Sequence, residues 1–479
     1  MPKPKPRPSN DSEDLNRFVT FTGTISRDDV VVPIKFRVRF GVDGELRFRV
    51  YPLKMTTEAL DLRAERSDRK SNKAVTYKVS AESAGGTRFE SDGIMLKGSG
   101  HKVTQTSAHV TFKFDYTKAT FTRAQVETDA PPVVRWNLRG FEAFPAVYGE
   151  CAVGKVGLLG NYPEKRPDRV TGLATIIAQE PVADTSVWLA DAERLFHHLR
   201  DVMSLAMSRQ IAYPVRDTWA DGKWERVAYS QTRSRRTYQH VFHPMQLQPV
   251  FDAALASYCD PPIRAKGLNY AIEWLTLPVT YSEMRLTNAI TTLEHLTGAN
   301  LGPADQVFLP EKAFEKFAKR LRRLAADDLA ATFSDVDAAQ TASIDAMCAT
   351  FPAKMQDLNR RPLFDRIMML ADRWCVPLDG LDAEALRAAI TARNRVVHRG
   401  YYYEPERGSR EQVDLWDHLL LVREVAIRFA LTVIGYRGTY LSFRGGQHDV
   451  AFPPTQKDQG AGTSSSRHEA TSDDPPKEA

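Results

Sequence analysis

Asp382-Ala383-Glu384-Ala385-Leu386-Arg387-Ala388-Ala389-Ile390-Thr391-Ala392-Arg393-Asn394-Arg395-Val396-Val397-His398-Arg399-Gly400 carries the start and the stop of a helix within itself. Asp382 is an N-cap type, with Glu384 in the first turn, where the helix dipole favours an acid. Gly400 stands just past the end, where a left-handed C-cap suits a residue without Cβ. The pattern predicts a helix over Asp382–Val397, running on towards His398. Working outward, the same periodicity predicts helices over Ser282–Leu296, Pro310–Leu324, Asp335–Phe351 and Leu363–Trp374 before it, and Glu411–Ile434 after it. From about residue 266 to 440 the chain therefore reads as an all-α bundle.

Upstream the period changes to two. Ile34, Phe36, Val38 and Phe40 alternate with Lys35, Arg37 and Arg39 within Val30–Phe40. Phe18–Gly23 is β-branched and aromatic, Glu45–Val50 follows the hairpin signal Asp43-Gly44, and Val110, Phe112 and Phe114 alternate with polar residues. Residues 15–265 read as a β-rich antiparallel sheet or barrel, with a subdivision near 150–185 left open. Ala190–Ile211 reads as a helix inside this region, and short strands are expected around Trp224–Ser230 and Thr237–His243. Arg and Lys fill many outward strand positions, which suits a solvated face or one turned to nucleic acid. The tails, 1–14 and 453–479, are too poor in apolar residues to offset the entropy of ordering. The fold class expected is α+β multidomain, β-rich first and all-α second.

Composition sets the outer limits. The chain has 479 residues, 42% apolar and 26% charged. That is ordinary for a globular protein of two to four domains and excludes collagen, a coiled-coil rod and a disulfide miniprotein. Lys and Arg number 65 against 60 Asp and Glu, a net charge of +5, which permits nucleic acid without demanding it. Cys151, Cys259, Cys348 and Cys375 are too scattered for a C-x-x-C pair and fit a reducing cytosol. The basic start, Met1 to Pro8, has no apolar run after it, so no secretory signal is expected. Leu419–Ile434 contains Arg423, Glu424 and Arg428, too much charge for a membrane span. A cytoplasmic protein without membrane contact is the expectation.

Phosphate-binding loops, dinucleotide fingerprints, H-E-x-x-H and G-x-S-x-G are all absent. His240 and His243 lack a nearby Cys or carboxylate to complete a tetrahedral set, so no metal and no cofactor are expected. What remains is Arg393-Asn394 followed by His398, the form R-x4-H at the end of a helix. Arg235 and His240 repeat the spacing, but among short strands.

Arg393, Asn394 and His398 resemble the signature of the HEPN superfamily (higher eukaryotes and prokaryotes nucleotide-binding), R-x4-6-H with Asn, Asp or His after the Arg. The resemblance covers about 266–440, and Tyr281–Leu296, with Glu283, Arg285 and Glu294 in an apolar pattern, resembles an early helix of that domain. A β-rich part ahead of such a domain is similar in layout to the ApeA group of bacterial anti-phage proteins. The resemblance implies a metal-independent endoribonuclease that acts in antiviral defence by abortive infection. It also implies a homodimer formed through the helical domain and an N-terminal region that senses a phage-derived activator.

The residue types suit that chemistry. RNA cleavage without metal needs the 2′-OH deprotonated, the 5′-oxygen protonated and the phosphorane charge balanced. His titrates near neutrality, and Arg offers a fixed charge with a planar donor fork. Asn394 would orient His398 or hold phosphate. Arg395 and Arg399 would add charge for the RNA backbone, and Tyr401, with Tyr402 and Tyr403, would stack on bases or pack internally. Arg393 and His398 are about 140° apart on an ideal helix, whereas Asn394 and His398 share a face. Two helices meeting across a two-fold axis would bring both pairs into one cleft. The competing reading is a non-catalytic nucleotide- or protein-binding module, or the toxin of a toxin–antitoxin pair.

Overall fold

The computed structural model describes residues 14–64, 75–103, 108–125, 130–161, 169–231, 239–332, 346, 349–350, 354–355, 357–400, 402 and 414–454. They form two compact units. One is built on residues up to Tyr281 with Val433–Tyr436, the other on Ser282–Thr432 with residues from Arg437 onward.

The first unit is a sheet of fourteen antiparallel strands. Strands β1 (Val19–Arg27), β2 (Val30–Phe40), β3 (Leu46–Val50) and β4 (Leu53–Lys54) are followed by helix α1 (Thr57–Ala64). Next come β5 (Tyr77–Ser83), β6 (Arg88–Val103), β7 (Ala108–Tyr116), β8 (Lys118–Ala124) and β9 (Val133–Arg139). The hairpins β10 (Val147–Cys151), β11 (Gly154–Gly160) and β12 (Val170–Ile177) lead to α2 (Thr185–Ala206). The unit ends with β13 (Ala212–Ala220), β14 (Lys223–Tyr229), α3 (Gln248–Cys259) and α4 (Leu268–Thr276).

Alternation sets the inner face. Along β2, Val32, Ile34, Phe36, Val38 and Phe40 are buried while Lys35 and Arg39 are exposed. The core is phenylalanine-rich: Phe21 stacks on Phe36 at 5.6 Å between centroids, and Phe89 meets Phe36 and Phe121 edge-on, each at 5.1 Å. Strands β11 and β12, within the expected subdivision near 150–185, belong to the same sheet. Strand β13 pairs with β9 and β14 pairs with β8, so a late hairpin stitches the two halves together. Over the second half lies α2, where Phe196 stacks face to face on Trp136 at 4.0 Å.

Three features differ from the sequence reading. Helix α2 starts at Thr185, ahead of the expected Ala190, because the Asp184 carboxylate accepts from the amides of Ser186 and Val187. Residues 239–243 form no strand. Val241 and Phe242 instead send their amides to the Ala206 carbonyl at the end of α2. The change from the first unit to the second falls at Tyr281–Ser282, and α4 packs with α2 in the first.

The second unit holds α5 (Ser282–Asn300), α6 (Glu311–Thr332), α7 (Leu363–Trp374), α8 (Ala383–Arg399) and α9 (Leu415–Val433). Helix α5 packs on α7 and α8. The predicted helix over Asp335–Phe351 lies almost wholly outside the described residues. A hairpin that the periodicity did not announce, β15 (Gly438–Ser442) with β16 (His448–Phe452), follows α9. It is anchored by Tyr440, whose buried hydroxyl donates to Glu424 and accepts from Arg428 Nε at 3.0 Å. α+β multidomain is thus the fold class of the chain. Among the described residues no helix is long and apolar enough to cross a membrane.

Candidate active site

Helix α8 buries Leu386, Ala389, Ala392 and Val396, a stripe with spacings of three and four. Asp382 caps its start by accepting from Glu384 N, and Gly400, at φ 78°, closes its end by donating to the Val396 carbonyl at 2.8 Å. With the stripe facing inward, Arg393 falls at its border and Asn394, Arg395, Val397, His398 and Arg399 face solvent.

Arg393 is gripped from α5. Its Nη2 donates to Glu294 Oε2 in an ion pair, with the two side chains 18% and 33% exposed. Its Nη1 donates to Asn394 Oδ1 at 3.2 Å, and its Nε is buried with no hydrogen-bond partner among the described residues. The guanidinium is therefore fixed in two directions, while the imidazole of His398 stands exposed at the helix end. Within one chain the two do not converge, as the angular offset requires.

The motif's other residues separate clearly. Arg395 is exposed, and its charge is felt by His418 and by Tyr402. Tyr402 is buried with its ring edge-on to His418 at 6.0 Å, so it packs internally. Burial holds the His418 imidazole below its ordinary range. Tyr401 and Tyr403 lie outside the described residues. Arg235, of the second R-x4-H copy, does so too, and its His240 is half-buried in a segment that is neither helix nor strand. Of the early-helix residues, Glu294 reaches Arg393, whereas Arg285 lies over the Trp416 ring at 5.2 Å.

One contributor escaped the sequence reading. Arg366, buried on α7, is held below its usual pKa by burial and by Arg360, with Glu294 acting against both. The Glu294 charge thus bears on two guanidiniums, of which Arg393 is the one it pairs with. The available signal was a lone charge beside Ile367, Leu370 and Ala371 on the apolar side of α7. Further along, Arg423 is buried and pushed down to about 10 by burial and by Arg285, with Glu424 opposing.

Chemically, the arrangement offers an immobilised cation, an amide beside it and a solvent-facing imidazole one turn on. Among the described residues, no three His, Cys, Asp or Glu side chains gather as metal ligands. No family model, curated protein or solved structure matches this chain.

Proposed function

We propose that this chain is a metal-independent endoribonuclease of the HEPN type, working in the cytoplasm in bacterial defence against phage. The observation that carries the reading is the clamp of Arg393 by Glu294 at the end of α8, beside an exposed Asn394 and His398. A guanidinium held in place loses little freedom on meeting phosphate, and a preorganised charge is what a phosphorane transition state rewards.

In the proposed reaction an imidazole takes the proton of a ribose 2′-OH, and that oxygen attacks the adjacent phosphorus. The bond from phosphorus to the 5′-oxygen breaks, and a second imidazole returns a proton to the leaving oxygen. The products are a 2′,3′-cyclic phosphate and a 5′-OH. Arg393 balances the charge on the phosphorane. The two imidazoles come from two copies of the chain, because a single α8 offers one His398 and turns Arg393 away from it. The first unit would receive a phage-derived activator and keep the nuclease idle without it.

The test is cleavage of labelled RNA in EDTA by wild type, Arg393→Ala and His398→Ala, with and without lysate from phage-infected cells. The wild type should cut RNA and spare DNA of the same sequence, and each variant should lose at least about 100-fold, the scale of a general acid–base group. Equal cutting by all three proteins removes the site. RNA that is bound yet intact throughout selects the non-catalytic module.

A further inference from the structure

The outward face of β1–β3 is built unlike a merely solvated one. Three guanidiniums crowd a single ring: Arg49, Arg39 and Arg37 lie 4.4, 4.8 and 5.5 Å from the centroid of Phe18. Beside them Lys35 lies 5.5 Å from the ring of Tyr51, which is 40% exposed. The strand register puts Arg37 directly opposite Arg49 and Arg39 opposite Arg47. Like charges set opposite each other across strands are destabilising, so a sheet that needed only solubility would alternate signs here.

It does not alternate them. Arg47 is engaged by Asp43 at 2.5 Å, but Arg37, Arg39 and Arg49 make no ion pair among the described residues. Strand β1 sets uncharged Thr20 and Thr22 opposite Arg37 and Lys35. Arg37 Nε is buried with no hydrogen-bond partner among the described residues. The cations repeat every second residue along β2, about 6.7 Å apart, with the β3 row about 4.8 Å to the side. This is a row of donors beside aromatic rings, and among the described residues no carboxylate is ion-paired to Arg37, Arg39 or Arg49.

We infer that this face binds the backbone of single-stranded nucleic acid. The guanidiniums hold successive phosphates, and Tyr51, 40% exposed, offers a ring face for bases to stack. A pleated sheet presents its cations in a shallow row, which suits an extended single strand better than the groove of a duplex. The inference does not rest on the α8 site, since it concerns binding by the first unit alone.

The test uses the full chain and a ligand that the proposed nuclease cannot cut. A fluorescein-labelled 2′-O-methyl oligouridine of about 15 nucleotides, the scale of one binding fold, is titrated by anisotropy across a salt series. Arg39→Ala with Arg49→Ala should weaken binding at least about tenfold and flatten the slope of log affinity against log salt by about 1.4, at about 0.7 per lost phosphate contact. The same two positions as Lys should keep the slope and lose less affinity. Should the double variant fail to fold, Arg39→Gln at its exposed position should flatten the slope by about 0.7. Unchanged affinity and slope overturn the inference. So does equal competition by polyglutamate of matched charge, which would mark a general polyanion surface, or tighter binding of duplex than of single strand. Cleavage is not read, so failure here leaves the nuclease proposal standing, and the reverse also holds.

Discussion

Replacing Glu294 separates a structural clamp from an idle surface contact. The carboxylate meets Arg393 with 18% and 33% of the two side chains exposed. That lies between fully exposed pairs, worth about 0.2–1 kcal/mol, and buried ones, where removing a partner costs about 3–5 kcal/mol. Opposite charges about 4 Å apart attract by ~4 kcal/mol at an effective dielectric of 20, and partial desolvation cancels much of this. Glu294→Ala leaves the guanidinium with only Asn394 among its resolved donor contacts and Nε still unpartnered, so a loss of about 2 kcal/mol is expected. Glu294→Gln keeps an oxygen acceptor and loses only the charge, so about 1 kcal/mol is expected. At about 2–4 °C per kcal/mol for a unit of this size, the melting temperature should fall by roughly 4–8 °C and 2–4 °C. Calorimetry of the two variants measures this. If the nuclease proposal holds, kcat should drop about tenfold in Glu294→Ala with little change in KM, because the clamp positions Arg393 without touching RNA. A Glu294→Ala protein with the wild-type melting temperature and wild-type cleavage would refute the reasoning.

The remaining predictions concern stability. Burial holds both His197 and His198 below their ordinary range, with Arg200 adding to the effect on His197 and the Ala254 carbonyl, 2.9 Å from His198 Nε2, opposing it. The unfolded chain therefore takes up protons first: stability is complete above about pH 6.5 and declines as the pH falls through that value, by up to about 1.4 kcal/mol per unit per histidine. Burial raises the neighbouring Asp201 carboxyl, an effect of opposite sign from one group against two histidines, so urea midpoints from pH 7.5 to 5.5 should fall in wild type and fall less steeply in His198→Gln. Tyr440→Phe strips a buried hydroxyl from between Glu424 and Arg428 and should cost about 1–3 kcal/mol in denaturant titration. Gly23→Ala would drive Cβ to 2.0 Å from the Ser80 carbonyl oxygen, forcing β1 off β5 at a cost of about 3 kcal/mol or more. Gly298→Ala, with open space around its Cβ within α5, should instead stabilise by about 0.5–1 kcal/mol. Thermal melts of these two variants should move in opposite directions.

What the residues disclose depends on the range over which the cause acts. Strand β2 and helix α7 match their expected bounds, Val30–Phe40 and Leu363–Trp374, because alternation and the helical period are local. The continuity of the sheet was hidden, since β14 finds β8 across about a hundred residues of chain and no period records that pairing. Hairpin β15–β16 was hidden for a related reason: its stability comes from Tyr440 reaching a polar pair on α9, a long-range contact in a short segment.

The candidate site divides along the same line. Arg393, Asn394 and His398 could be marked as a group from spacing and residue type, yet their different fates could not. The apolar stripe of α8 leaves Arg393 at its border, and only the approach of α5 supplies Glu294 to hold it there. Asn394, next to Arg393, and Val397 and His398, about one turn on, are exposed. If the nuclease proposal holds, a fixed cation next to an exposed imidazole is a division of labour. On the proposed reaction, charge stabilisation would gain from a rigid Arg393, and proton transfer at a surface completed by a second copy would gain from an accessible His398.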